Sequence, residues 1–336
     1  SLNLISKKYN FPNLITKELN WISHINFDKK SKILLKKMYE KNLINHQNTF
    51  LSLSGSGLFS GRFMRSLGSL HLCDVGSTHI KYQNEVLKKE FHENKIKYFE
   101  TDSRLIDKEC LEFDEADKII VPSEYVKKSF IKMKISEKKI IKIPYGSDNA
   151  FFKNLNLRNF HSEKLTLSFA GEFSIRKGLH YLLNYFQKIP FSLKKRLRLN
   201  LYGSYRYETK ELFSKYSNEN IYVYQSLSQD QLSVKLNETD IYVLLSIEEG
   251  LSLTIPQAMS VGCIVIATPN TGAEELIKNG HNGFIIKHNF HEFKKLIELL
   301  LSDISLRKKI SSNAINSMKE KNGFDNYIKE LTKCVE

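Results

Sequence analysis

The sequence predicts an α/β protein of two doubly wound, Rossmann-like domains, each built on a parallel sheet. Three observations carry that prediction. The chain has 336 residues, more than one hydrophobic core of ordinary size takes up. Its hydrophobic share of 41% and charged share of 26% are those of a globular protein. Short β-branched runs also alternate with stretches of helical apolar spacing, which is how βαβ units read.

In the first half, "TFLSLSGSG" (49–57), "GSLHLCDVG" (68–76), "DKIIVPS" (117–123) and "KIIKIPYG" (139–146) each read as a strand running into a turn. The opening "SLNLISKKYNFPNLI" instead reads as a loop entering a helix, so the first domain is expected to lack its usual first strand in this numbering. "DKKSKILLKKMYEK" (28–41) has a helical apolar spine at Ile33, Leu34 and Met38, read as a solvated helix face or as a contact with anionic lipid. The polar, aperiodic segment 145–164 is the expected linker. Beyond it the alternation is regular: strand 165–171, helix 177–186, strand 197–203, strand 221–225, helix 230–236, strand 240–246, an uncharged helix, strand 263–268, a short helix 273–278 and strand 283–287. The expected domains are 1–147 and 148–319, with the amphipathic stretch 320–336 packing on either one, back onto the first in the simplest arrangement.

Charge narrows the function only a little. The formal net charge is +14, and residues 1–147 hold 26 Lys and Arg against 17 Asp and Glu. That excess suits an anionic partner without choosing one, and no basic and aromatic stripe points to nucleic acid. The cysteines, Cys73, Cys110, Cys263 and Cys334, are widely spaced, which supports neither a disulfide framework nor a zinc site and fits a reducing cytosol. The uncharged run Leu251 to Ala273 contains Pro256, Gly262, Pro269 and Asn270, so it does not read as a membrane span, and the N-terminus lacks the order of a signal peptide.

In an open α/β sheet, ligands bind beyond the carboxyl ends of the strands. The first such loop in the second half is "AGEFSIRKGL" (170–179), where Gly171 ends the strand and Arg176 and Lys177 precede Gly178 at the head of a helix. Two cations beside a helix N-terminus make a diphosphate cradle, and the plainer reading is a helix that begins with basic residues. The second loop is "EEGLSLTIPQAM" (248–259). There the amides of Gly250, Leu251, Ser252 and Leu253 point at whatever fills the crevice, Glu249 stands ready to accept from hydroxyls, and Gln257 follows about two turns into the helix. The plainer reading makes the glutamates solvated and Gln257 a satisfied buried amide. In the third loop, "TPNTGAEEL" (268–276), Gly272 precedes another helix, so three helix starts are expected at one sheet edge.

"GEFSIRKG" followed by "EEGLSLTIPQAMSVGCIVIATPNTGAEELIKNGHNGF" resembles the donor half of the family 4 retaining glycosyltransferases of the GT-B fold over about 165–310. The likeness implies two Rossmann-like domains facing across a cleft. Arg176 and Lys177 would neutralise the diphosphate of a nucleotide sugar, Gly171 and the amides 250–253 would hold oxygens, and Glu249 would contact sugar hydroxyls. Gln257 falls where such proteins carry a ribose-binding glutamate, and Glu172 stands where many carry an arginine. "CDVGSTHIKYQ" (73–83) resembles a Gly-Ser-Ser-His loop, which makes His79 the candidate facing the reacting centre, against the plainer reading of a capped or surface histidine. "SLSGSGLFSGR" (52–62) reads as a tight turn on the acceptor side, with a phosphate loop as the second reading.

The implied reaction is transfer of a sugar from a UDP- or GDP-linked donor, with retention, to a glycan, lipid-linked or protein acceptor. No metal or cofactor is expected. The expected location is the cytoplasm, with peripheral contact at the inner face of the plasma membrane as a further expectation. Two alternatives stay open: a non-catalytic scaffold of the same fold, suggested by Gln257, and a GT-B-fold sugar-nucleotide epimerase.

Overall fold

The computed structural model describes residues 13–147, 151–206, 209–216, 220–320 and 324–334. The opening "SLNLISKKYNFP", on which the expectation of a missing strand rests, lies outside the described residues. The chain divides into two compact units, one ending at Lys142 and the other running from Ile143 to Cys334. Among the described residues, no helix is long and apolar enough to cross a membrane.

The first unit begins with helix Asn13–Glu40. Strands β1 (Phe50–Leu53), β2 (His71–Asp74), β3 (Lys118–Val121) and β4 (Ile140–Lys142) then form a parallel sheet in the order β1-β2-β3-β4. Helices Leu58–Ser66, Ile80–Glu93, Ser103–Glu115 and Glu124–Lys132 make the crossovers. Cys73, Val75, Ile119 and Val121 from the sheet pack with Phe113, Val126 and Phe130 from the helices. The lysine-rich helix turns Ile33 and Leu34 outward and half-buries Met38. Its inner face carries Asp28 instead, whose carboxylate accepts the amides of Phe59 and Ser60 and so caps helix Leu58–Ser66.

The second unit is a six-stranded parallel sheet of β5 (Leu165–Ala170), β6 (Leu197–Tyr202), β7 (Ile221–Tyr224), β8 (Ile241–Leu244), β9 (Ile264–Ala267) and β10 (Phe284–Ile285). The strand order is β10-β9-β8-β5-β6-β7. Strands β8 and β9 read "IYVL" and "IVIA" and are buried throughout, as parallel strands covered on both faces must be. The chain builds outward from β5 through β6 to β7, then returns to the other side of β5 with β8. The loops leaving β5 and β8 therefore diverge from neighbouring strands, which is the topological switch point where doubly wound sheets open a crevice.

No regular element lies between β4 and β5 among the described residues, yet the linker is not loose. Arg158 donates to the carbonyls of Thr239 at 2.7 Å and Leu236 at 3.2 Å, and Asn237 accepts from the amide of Leu155 at 2.7 Å. These bonds fasten the linker beneath helix Gln229–Asn237 of the second unit. Helix Phe324–Lys333 also belongs with that unit, and its Tyr327 packs edge-on to Tyr145 at 5.6 Å.

Candidate functional site

The loop after β5 is shaped by two glycines with left-handed φ. Gly171 ends the strand at φ +144°, and Gly178 at φ +66° turns the chain into helix Leu179–Lys188. A Cβ on Gly178 would collide with the carbonyl oxygen of Leu245, so glycine alone lets this turn lie against the end of β8. The amide of Ile247 then donates to the carbonyl of Arg176 at 2.8 Å, which joins the two loops backbone to backbone. The β8 loop is held from its other side as well. The amide of Glu249 donates to the carbonyl of Asn270 at 2.9 Å, and the Asn270 side chain returns a bond to the carbonyl of Ile247.

This backbone framework brings two cations onto two carboxylates. Arg176 Nε meets Glu248 Oε2 at 2.8 Å, and Arg176 Nη2 lies 3.5 Å from Glu249 Oε2. Lys177 Nζ meets Glu249 Oε1 at 2.6 Å, and Ser246 Oγ donates to the same oxygen at 3.4 Å. The side chains differ in depth: Glu248 is 0% exposed and Glu249 7%, while Lys177 is 20% and Arg176 32% exposed. Negative charge lies inside and positive charge outside. Burial works against the charge on Arg176, but Glu249 and Glu248 beside it hold its pKa above the ordinary value.

The helix after the β8 loop is Thr254–Ser260, one residue later and shorter than the sequence suggests. It ends as expected: Gly262 adopts φ +85°, its amide donates to Met259, and the amide of Cys263 donates to Ala258, the paired bonds of a Schellman cap. Its start is fixed by side chains. Tyr242 of β8 donates to the carbonyl of Ala170 at 3.1 Å, its hydroxyl lies 2.7 Å from Thr254 Oγ1, and Ser252 Oγ lies 3.0 Å from that threonine hydroxyl.

Of the amides expected to hold ligand oxygens, that of Ser252 donates to the carbonyl of Thr271 at 3.2 Å. Gln257 stands one turn into the helix, half-buried, and its side chain has no bond to the charged quartet among the described residues. Glu172 faces Arg206 at 3.4 Å on exposed surface.

The third expected helix start is not an α-helix. Gly272 at φ +72° leads into a 3-10 turn, Ala273–Glu275. The Asn282 side chain accepts the amide of Lys278 and donates to the carbonyl of Leu276, which occupies the groups a longer helix would need. The convergence at this sheet edge is therefore one ten-residue helix, one seven-residue helix and a turn.

In the first unit, His79 is the N-cap of helix Ile80–Glu93, with Nδ1 accepting the amide of Lys81 at 3.2 Å. Its ring packs 5.2 Å from that of Phe113 and 5.1 Å from that of Phe130, and burial lowers its pKa to about 4. That is the placement of a capping histidine in the core. The "SLSGSGLFSGR" turn is structural by the same test. Gly57 donates its amide to Glu112 Oε1 at 2.9 Å, and Ser52 Oγ donates to the same oxygen at 3.0 Å.

Sequence reasoning missed Glu248 as the partner of Arg176. The trace it leaves is two adjacent carboxylates at the edge of a long uncharged run, where buried charge requires a cation.

Known proteins resemble the chain in sequence and in fold. Residues 153–317 match the family model of glycosyl transferases group 1. An uncharacterized glycosyltransferase of Methanocaldococcus jannaschii is 28% identical over 78% of this chain and 66% of its own length. The capsular polysaccharide biosynthesis glycosyltransferase CapM of Staphylococcus aureus is 29% identical over 61% of this chain and 58% of its own length. The chain thus spans less than two thirds of these curated relatives. The structure of Anabaena HepE in complex with UDP-glucose superposes with a TM-score of 0.65 at 16% identity, covering 85% of this chain and 78% of that one. With two parallel-sheet α/β units and these likenesses, the chain has the GT-B fold, and its second unit matches the glycosyl transferases group 1 model.

Proposed function

We propose that this protein is a retaining glycosyltransferase that moves a sugar from a nucleoside diphosphate sugar to a glycan acceptor. The observation that carries the reading is the quartet at the switch point of the second unit, where half-buried Arg176 and Lys177 stand over buried Glu248 and Glu249. Cations at that depth suit a diphosphate, and a carboxylate beside them suits sugar hydroxyls. The UDP-glucose bound by Anabaena HepE supports a UDP-linked donor, and the role of CapM in capsular polysaccharide biosynthesis supports a polysaccharide acceptor.

In the proposed reaction the acceptor hydroxyl attacks the anomeric carbon on the face that the diphosphate leaves. The new carbon–oxygen bond forms as the bond to phosphate breaks, and the acceptor proton passes to a phosphate oxygen. Arg176, Lys177 and the start of helix Leu179–Lys188 stabilise the charge that grows on the leaving diphosphate, so the step needs no metal. Glu249 orients the sugar.

The named relatives are glycosyltransferases, which supports transfer over the epimerase and scaffold readings. The test is a panel of UDP- and GDP-sugars screened for thermal stabilisation, followed by product analysis with and without a glycan acceptor. A stabilising donor whose sugar appears on the acceptor, with the anomeric configuration kept, is the expected result. Sugar rearranged or released regardless of acceptor would replace this reading with the epimerase, and absence of nucleotide-sugar binding would replace it with the scaffold.

A further inference from the structure

The quartet presents a conflict that a simple diphosphate cradle would not. Lys177, the cation a donor phosphate would engage, is already held at 2.6 Å by Glu249, the carboxylate a donor sugar would engage. The loop backbones cannot relieve the conflict by moving apart. Gly178 lies against the carbonyl of Leu245, Ile247 donates to Arg176, and Glu249 is tied through its amide to Asn270. Only side chains can rearrange.

The two carboxylates are not equivalent. Glu248 is wholly enclosed and takes the Nε of Arg176, whose Nη2 lies 3.5 Å from Glu249. Glu249 is the shallower of the two and holds the ammonium of Lys177, with Ser246 Oγ as its neutral donor at 3.4 Å. A phosphate that takes Lys177 leaves Glu249 buried, near a new negative charge, with its nearest cation drawn away. Such a group is costly unless other donors replace the ammonium. The hydroxyls of a sugar attached to the diphosphate are donors of that kind. A bare nucleoside diphosphate brings none to that position.

Resting on the donor reading above, we propose that the Lys177–Glu249 ion pair couples the phosphate and sugar positions. Phosphate binding leaves Glu249 with only the longer contacts to Arg176 Nη2 at 3.5 Å and Ser246 Oγ at 3.4 Å, and a sugar hydroxyl replaces the short bond it lost, so the site favours the loaded nucleotide over the spent one. After transfer, Glu249 recaptures Lys177 and promotes release of the nucleoside diphosphate. Glu249 is then a specificity determinant as well as a sugar ligand, and Glu248 is the positioning residue that keeps Arg176 in place meanwhile.

Calorimetric titration of UDP, GDP and their hexose esters tests this. In Glu249→Gln the amide neither pairs with Lys177 nor repels phosphate. The bare diphosphate should therefore bind about tenfold tighter than to wild type, while the sugar ester changes less, and the preference for the ester falls by a similar factor. Glu249→Ala should move the preference in the same direction. A measurement free of variants adds glucose, galactose, mannose or N-acetylglucosamine to wild-type protein during titration with the bare diphosphate. One of these should tighten the diphosphate at least about threefold, because coupling between sites is reciprocal. An unchanged preference in the folded variants, or independence of sugar and diphosphate in the wild type, would overturn the proposal. Wild type that binds no nucleotide or nucleotide sugar would instead overturn the donor reading, and this inference with it.

Discussion

Both units bury charged groups near the carboxyl ends of their sheets, and they do so in opposite senses. In the first unit the Lys108–Asp28 pair, at 3.0 Å, is 3% and 0% exposed, and its members turn mostly to backbone: Lys108 donates to the carbonyl of Gly55, and Asp28 accepts the amides of Phe59 and Ser60 and the Ser60 hydroxyl. Both charges of the pair are enclosed and committed to holding a turn and a helix. In the second unit the carboxylates are enclosed while the cations reach outward, and the bonds run between side chains. A buried ion cluster closed on the backbone serves the fold, whereas one with its cations turned toward solvent keeps capacity for a ligand.

The largest effect should come from the closed cluster. Asp28→Ala leaves Lys108 buried without its counter-charge and uncaps helix Leu58–Ser66, which should cost about 3–5 kcal/mol, read from the urea midpoint. A loss below about 1 kcal/mol would erase the distinction between the clusters.

Next in size, Lys177→Ala should cut turnover at least ~100-fold, as loss of a charge partner in the transition state does, while Arg176, still 3.5 Å from Glu249, keeps the loss of stability below that of Asp28→Ala. Turnover within a few-fold of wild type would remove Lys177 from the chemistry.

His79 sharpens the same contrast through pH. Burial lowers its folded pKa from 6.5 to about 4, so between those values the unfolded chain binds the extra proton. Its contribution to stability is complete above about pH 6.5 and is lost as pH falls toward 4. Against His79→Asn, which keeps a capping acceptor but does not titrate there, wild type should lose up to about 1.4 kcal/mol more per pH unit in that window. Turnover of the variant should hold. A ~100-fold fall in turnover with no change in the pH slope would mark His79 as an acid–base group.

The smallest effect is at Gln257. Replacing it by glutamate should tighten donor binding by about 1 kcal/mol, since a carboxylate accepts from both ribose hydroxyls. Weaker binding in the calorimeter would show that the side chain does not meet the ribose.

Much of the second unit was legible because its strands are short apolar runs between turn residues. The run "LTLSFAG" became β5, "DIYVLLS" became β8, and the glycines at 171, 178, 262 and 272 fall where a left-handed residue is needed. Arg176, Lys177 and Glu249 could be named because each follows a strand at its carboxyl end. The pairing of Arg176 with Glu248 could not, since the two lie on loops that only the return of the chain from β7 to β8 makes neighbours. The lysine-rich helix is solvated on the face of Ile33 and Leu34, as read, but its buried partners were hidden for a related reason. Its apolar residues Ile33 and Leu34 face outward because the inner face is occupied by Asp28, whose partners come from segments more than thirty residues away. Periodicity reports which residues share a face, and not what lies opposite.

The absence of a side chain at Gly178 reaches further than the turn it permits. Because that residue rests on the carbonyl of Leu245, the first residue past β8, the separation between the opposed charges is set by the spacing of two adjacent strands rather than by loop length. Sequence drift in the surrounding loops is thereby buffered. A change that widens the gap between β5 and β8, even from deep in the sheet, would be felt at Lys177 and Glu249 first.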